Sequence, residues 1–152
     1  MADYGQFAHR AAQVAGWLVD QGIKPGDCVA IFMKNCPDFL IALYGIWWAG
    51  ATAVPINAKL HGAEVAWIIE NSGTKLCFTT ASQTEALIAT RPKARVVDIE
   101  DPDYAQSHDI IPPANPIPRG GDDLAWMFYT SVTTGRPKGV MITHAMLMTM
   151  AM

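Results

Sequence analysis

The chain has 152 residues, of which 11 are lysine or arginine and 14 are acidic, giving a formal net charge of −3. This length suits one domain, and because 51% of the residues are hydrophobic and only 16% are charged, a disordered chain is excluded. The basic residues are scattered through a slightly acidic chain, which argues against a nucleic-acid-binding protein, since that function requires clustered lysine and arginine.

The first elements are predicted from hydrophobic periodicity. Apolar residues recur at helical spacing over residues 4–21, which predicts an amphipathic helix. The apolar segment 28–33 predicts a buried strand. Asn35 and Pro37 suit the cap and first turn of a second helix, which ends near Ala49.

Shorter elements alternate along the next part of the chain. The pattern predicts helices over residues 62–71 and 83–89, and strands over residues 51–55, 76–79 and 95–99. Strands that alternate with helices are typical of a parallel sheet covered on both faces. We therefore expect an α/β fold, with residues 1–99 as its first segment.

A proline-rich stretch follows this segment. Five prolines and a Gly-Gly pair interrupt any periodicity between Glu100 and Asp123. We therefore expect residues 100–123 to be a surface connection between two structural units.

The last segment, residues 124–152, is the most informative. It predicts strands over residues 124–129 and 139–143 with a polar loop between them. A helix begins near His144, with Thr143 as its cap. Because this helix lacks a charged face, it is interpreted as a core helix whose packing partners lie outside this stretch of sequence.

The polar loop, residues 130–138, has the chemistry of an oxyanion site, because it combines four hydroxyl side chains with a glycine and a lysine. Hydroxyl and backbone N–H groups donate hydrogen bonds to phosphate oxygens, and lysine adds a compact positive charge. The Gly-x-x-x-x-Gly-Lys-Ser/Thr spacing of a P-loop NTPase is absent, and a strand follows the loop. From composition alone, a hairpin loop that binds nothing is an equal alternative.

The order of residues in the loop shifts that balance. It closely resembles the AMP-binding signature of the adenylate-forming superfamily, which includes acyl-CoA synthetases, adenylation domains and luciferases. The resembling segment reads Tyr129-Thr130-Ser131-Val132-Thr133-Thr134-Gly135-Arg136-Pro137-Lys138-Gly139-Val140. Further segments resemble the N-terminal subdomain of that family: residues 25–30, 35–37, 50–57 and 69–73.

The resemblance implies a fold and a position within it. The chain would be the N-terminal part of the large subdomain of an adenylate-forming ligase, with a mixed or mainly parallel sheet and flanking helices. The resemblance covers almost the whole chain, apart from the proline-rich connection.

The resemblance also implies a two-step reaction. A carboxylate attacks the α-phosphate of ATP and releases pyrophosphate, and the thiolate of coenzyme A then displaces AMP to give a thioester. The cofactors would be ATP, Mg²⁺ and coenzyme A, and the loop would hold the β- and γ-phosphates. By resemblance, the phosphate-binding residues are Thr130, Ser131, Thr133, Thr134, Gly135 and Lys138. No residue of this chain corresponds to the family's catalytic lysine, so no catalytic residue is assigned.

These implications favour the N-terminal fragment of an acyl-CoA synthetase that acts on a fatty or other small carboxylic acid. Its partner would be the remainder of the ligase chain, and the isolated chain is expected to be inactive. Two alternatives stay open. One is an adenylation enzyme that loads an amino or aryl acid onto a carrier protein, and the other is a non-catalytic truncated remnant.

The histidines are interpreted as structural. His9, His61 and His108 lack metal-ligand spacing with another histidine or cysteine, so no metal site is expected. His144 is interpreted as a polar residue at a helix start that supports the loop.

The cysteines and tryptophans are interpreted as packing residues. Cys28 and Cys77 fall on predicted strands as small buried hydrophobes, and Trp47 and Trp48 belong to the core. Three cysteines without a Cys-x-x-Cys pair favour a reducing, cytoplasmic location, and the N-terminus lacks a secretory signal pattern. The apolar stretch 39–54 is shorter than the roughly 20 residues that span a bilayer, so no transmembrane segment is expected.

One departure from the family pattern generates a test. The family usually has glycine at the position of Val132, and a β-branched residue at positive φ costs about 1–3 kcal/mol. We expect Val132→Gly, in a complete ligase, to raise ATP-dependent turnover measured by pyrophosphate release. Equal or lower turnover would show that the loop tolerates valine.

Overall fold

A computed structural model of the chain describes residues 3–130 and 135–152. The helices are α1 (Tyr4–Asp20), α2 (Pro37–Trp48), α3 (Gly62–Ser72), α4 (Ala81–Ile88), α5 (Pro102–Ala105) and α6 (His144–Ala151), with a 3₁₀ turn at Gln106–Asp109. The strands are β1 (Cys28–Phe32), β2 (Thr52–Ile56), β3 (Leu76–Thr79), β4 (Arg95–Asp98), β5 (Leu124–Thr130) and β6 (Lys138–Thr143).

The six strands form one sheet in the order β4-β3-β1-β2-β5-β6. Strands β1 to β5 are mutually parallel, and β6 returns antiparallel to β5. The mostly parallel α/β sheet predicted from the alternation of strands and helices is therefore confirmed.

The sheet separates two hydrophobic cores. On β1, Val29 and Ile31 pack with α1 and α2, whereas Ala30 and Phe32 pack with α3 and α4. Because successive side chains of a strand point to opposite faces, a strand covered on both sides is apolar throughout. This explains why the strand segments show continuous apolar runs.

The helix starts follow local capping chemistry. At α1, the Asp3 carboxylate accepts from the Gln6 backbone N–H and the Gln6 side chain accepts from the Asp3 N–H, which forms a capping box. At α2, Pro37 occupies the first turn as predicted, but the cap is Cys36 rather than Asn35. Proline favours the first helical position, so the residue directly before it becomes the cap.

The proline-rich connection is more ordered and more buried than the sequence predicts. It contains α5 and the 3₁₀ turn, and Tyr104 and Ser107 are only 3% and 0% exposed. The Tyr104 ring packs edge-on against Trp17 at a centroid distance of 5.8 Å, and Gln13 donates to the His108 carbonyl at 2.7 Å. This part of the connection lies against α1, and the expectation of a purely surface segment is wrong there.

The β5–β6 hairpin joins the rest of the sheet through β2. In the backbone register of β2 and β5, Ala53 pairs with Trp126. Two side chains reinforce it: the Thr52 hydroxyl donates to the Leu124 carbonyl at 3.1 Å, and the Trp47 indole N–H donates to the Ala125 carbonyl at 2.6 Å.

Large apolar side chains are exposed on β6 and α6. Each is at least 45% exposed, and α6 buries none of its residues. They are Val140, Met141, Met146, Met148 and Met150. Because successive side chains of a strand point to opposite faces, Val140 and Met141 lie on opposite sides of β6. Among the helices of the described ranges, none has the length and apolar character required to cross a bilayer.

The contact between α1 and α2 generates a stability test at Gly45. A Cβ atom there would lie 2.8 Å from Val14 Cγ1 and 3.1 Å from the Ala11 carbonyl oxygen. We expect Gly45→Ala to lower the free energy of unfolding by about 1–3 kcal/mol, because the helices must separate. Urea denaturation followed by circular dichroism measures the change.

Gly5→Ala is the matched control, since its added Cβ would meet only the exposed Asp3 carboxylate, at 3.3 Å. This control should leave the urea midpoint nearly unchanged. A wild-type midpoint for Gly45→Ala would contradict the packing argument.

Candidate functional site

The segment predicted to bind phosphate begins at the carboxyl end of β5, which is one edge of the sheet. Strands β1 to β5 run parallel, so they all end at this edge, and the chain between β5 and β6 begins there. Open α/β sheets bind ligands outside the carboxyl ends of their strands. The sheet topology therefore places the motif where such folds hold ligands.

Three of the six predicted phosphate-binding residues fall in the described part of the chain. Thr130 ends β5, Lys138 begins β6, and the two pair across the hairpin. Gly135 has a φ of +101°, and an added Cβ there would meet no atom within 4 Å. The other three, Ser131, Thr133 and Thr134, lie outside the described residues with Val132.

The cations beside the loop are available to an anionic ligand. Arg136 and Lys138 are both exposed. Within residues 3–130 and 135–152, ion pairs form between Arg95 and Asp103 and between Arg119 and Asp123, and neither loop cation takes part in one. A ligand carrying phosphate would therefore meet positive charge that no described carboxylate neutralises.

Helix α3 contacts both strand-proximal ends of the loop. The Tyr129 hydroxyl donates to Asn71 Oδ1 at 2.7 Å, and the Tyr129 ring lies edge-on to Trp67 at a centroid distance of 6.0 Å. The Arg136 guanidinium carbon lies 5.5 Å from the Trp67 ring centroid. Burial, and secondarily the nearby Cys28, raise the pKa of Tyr129, which keeps its hydroxyl a hydrogen-bond donor.

A cleft of about 600 Å³ next to β5 was not predicted from the sequence. The polar residues that line this cleft come shortly after β1 and β2 in the chain. Among the described residues, no carboxylate lines it. The polar lining residues are Lys34, Asn35, Asn57 and Lys59. The signal available in the sequence was the position of these polar residues immediately after two buried parallel strands.

His144 lies at the opposite end of the hairpin from the loop. Thr143, which precedes it, pairs with Leu124 at the start of β5, and the His144 N–H donates to the Asp123 carbonyl at 3.0 Å. Burial, and then the positive charge of Arg119, lower the pKa of His144. The prediction that His144 supports the loop is wrong, because β6 carries the chain back across the sheet.

The remaining candidates pack as structural residues. Trp47 and Trp48 pack against the first core, as predicted. Cys77 is fully buried and Cys28 partly so, and burial raises the pKa of both thiols. In the described ranges, no three side chains of histidine, cysteine, aspartate or glutamate converge as metal ligands would.

Comparison with known proteins identifies relatives along nearly the whole chain. A family model described as AMP-binding enzyme matches residues 2–152. Crotonobetaine/carnitine–CoA ligase of Salmonella arizonae is 35% identical over 161 residues, which cover 93% of this chain and 30% of the relative. Long-chain-fatty-acid–CoA ligase FadD13 of Mycobacterium tuberculosis is 38% identical over 149 residues, which cover 93% of this chain and 29% of the relative.

A solved structure shows the same architecture. Apo MatB from Rhodopseudomonas palustris matches with a TM-score of 0.88 at 28% identity, covering 98% of this chain and 31% of MatB. ATP-bound MatB matches with a TM-score of 0.83. This chain thus spans about 30% of the length of these CoA ligases.

Gly135 and Gly22 form a matched pair for a binding test. Both have positive φ, +101° and +90°, and neither has an atom within 4 Å of an added Cβ. Alanine at such a position costs about 1–2 kcal/mol in backbone strain. We expect Gly135→Ala, in a complete ligase, to weaken ATP binding several-fold in calorimetric titration.

Gly22→Ala should leave ATP affinity unchanged, because Gly22 lies between α1 and β1, at the amino ends of the parallel strands. Equal ATP affinities for the two variants would show that the backbone conformation at Gly135 does not affect nucleotide binding.

Proposed function

This chain belongs to the family of AMP-binding enzymes, and from that membership we propose that it is the N-terminal part of an ATP-dependent acid–CoA ligase. The ligase would activate a fatty or other small carboxylic acid as an acyl-adenylate and transfer the acyl group to coenzyme A. One observation carries the proposal. The hydroxyl- and lysine-bearing motif spans the turn between β5 and β6 at the carboxyl edge of the parallel sheet.

The motif residues are proposed to hold the triphosphate. Thr130, Ser131, Thr133 and Thr134 would donate hydrogen bonds to phosphate oxygens, and Gly135 leaves open space for their approach. Lys138 would stabilise the negative charge that develops on the departing pyrophosphate. Nucleotidyl transfer depends mainly on such positioning and charge stabilisation. Mg²⁺, when bound, neutralises charge on the phosphate oxygens, and no residue is assigned as its ligand.

The charges at this edge suit the proposed substrates. A carboxylate, ATP and coenzyme A are all anions. Among residues 3–130 and 135–152, the cleft beside β5 is lined by Lys34 and Lys59 and by no carboxylate, and Lys138 is exposed at the start of β6. Positive charge lining a cleft raises the local concentration of anionic ligands.

The remainder of the ligase chain is the proposed partner. The CoA-ligase relatives extend well beyond the matched region. This chain covers 30% of the length of one relative and 29% of the other. The exposed apolar side chains on β6 and α6 would be covered by that remainder.

We propose that the chain has three segments: the first α/β segment over residues 1–99, the connection over residues 100–123, and the phosphate-loop hairpin over residues 124–152. A cytoplasmic location is proposed because a reducing compartment keeps the three free thiols reduced.

ATP–pyrophosphate exchange over a panel of carboxylic acids tests the proposal in a complete ligase. We expect exchange that depends on the acid. We also expect Lys138→Ala to slow it roughly 100-fold, as loss of one transition-state charge partner does. Lys24→Ala is the control, because Lys24 is an exposed lysine ahead of β1, at the opposite edge of the sheet.

The outcomes separate the alternatives. A thioester formed with coenzyme A supports the acid–CoA ligase, whereas acyl transfer only to a carrier protein supports the adenylation enzyme. A folded complete chain without acid-dependent exchange would overturn both and leave the non-catalytic remnant. The 152-residue chain alone is expected to show no exchange.

A further inference from the structure

Helix α3 contacts the motif segment at two residues, and Trp67 of α3 takes part in both contacts. Tyr129 precedes the motif loop and Arg136 lies near its end, and the side chain of Trp67 contacts each of them. Tyr129 also has a hydrogen bond to Asn71, but Arg136 has its aromatic contact through Trp67 alone among the described residues.

The two contacts with the Trp67 indole are of different kinds. The Tyr129 and Trp67 rings meet at 88°, the edge-to-face arrangement that the ring quadrupoles favour. The Arg136 guanidinium lies 5.5 Å from the Trp67 ring centroid, within the range of a cation–π interaction. One side chain thus contacts residues at both ends of the loop.

The contact with Trp67 leaves Arg136 free to bind an anion. The guanidinium group carries several N–H donors, and a cation–π contact does not require a hydrogen bond from any of them. Arg136 is exposed and has no ion pair in the described part of the chain. Its position is therefore set without its charge being neutralised.

We propose that Trp67 is a positioning residue for the phosphate loop. It holds Tyr129 and Arg136 at a fixed separation, and through them it orients Thr130 and Lys138 toward the polyphosphate. Trp67 itself touches no reacting atom. This inference rests on the proposed function, since the loop must bind polyphosphate for its position to matter.

The first experiment tests the contact in a complete ligase without nucleotide. The Trp67 indole N–H resonance is assigned in a ¹H–¹⁵N spectrum by its loss in Trp67→Phe. We expect Arg136→Gln to shift this resonance and to leave the Trp48 indole, in a different core, unmoved. An unmoved Trp67 resonance would overturn the proposal.

The second experiment tests positioning in a complete ligase. We expect Trp67→Leu to raise the KM for ATP about two- to fivefold with little change in kcat, the range that an exposed cation–π contact supports. Trp67→Phe should restore a KM near that of the wild type, because it keeps an aromatic face. Arg136→Gln combined with Trp67→Leu should raise the KM less than the product of the single effects.

Trp48→Leu is the matched control, since Trp48 is also a partly buried tryptophan but lies in the first core. It should lower thermal stability without raising the KM for ATP. If Trp67→Leu lowers stability alone, Trp67 is only structural and the proposal fails. If the wild-type ligase neither binds ATP nor exchanges pyrophosphate, the proposed function fails instead, and the positioning role fails with it.

Discussion

The candidate site depends on the attachment of β5 to β2. Ala53 pairs with Trp126 in the register of these two strands, and two side-chain hydrogen bonds add to the connection. The Thr52 hydroxyl donates to the Leu124 carbonyl, and the Trp47 indole N–H donates to the Ala125 carbonyl. Each such bond contributes about 1 kcal/mol net, and breaking one leaves a carbonyl without its partner. These bonds anchor the start of β5, the strand from which the motif segment continues.

Much of the fold could be predicted because local and global signals agree. The strands are covered on both faces, so they appear in the sequence as short continuous apolar runs between turn residues. Thr143 caps α6 as predicted, with its hydroxyl accepting from the Met146 N–H at 3.2 Å. In such places one residue type has one strong local preference, and the tertiary structure does not oppose it.

The predictions that failed required knowledge of contacts between distant segments. Tyr104 is a lone aromatic residue in a proline-rich stretch, and its burial follows from contacts with distant residues such as Trp17. His144 follows the motif closely in sequence but lies at the other end of the hairpin. The cleft beside β5 combines residues that follow β1 and β2, so it becomes visible only once the strand order is known. By contrast, the motif was recognisable because its residues are contiguous.

The motif is physically coupled to a second segment that carries the family resemblance. Asn71, within residues 69–73, accepts the hydrogen bond from Tyr129 at the start of the motif. Residues separated by 58 positions thus form one local structure. The loop is therefore supported by α3 as well as by its own strands, and a hairpin excised from this sheet would lack the contacts with α3.

The exposed methionines of β6 and α6 have a chemical consequence of their own. Thioether sulfur is oxidised to the sulfoxide, which converts a flexible apolar side chain into a polar one. Met141, Met146, Met148 and Met150 are all more than half exposed, so oxidants reach them before any core residue. Oxidation would make these side chains polar and would weaken their packing against any apolar surface that covers them. Methionine oxidation in a preparation would therefore reduce the ability of these side chains to pack against an apolar surface.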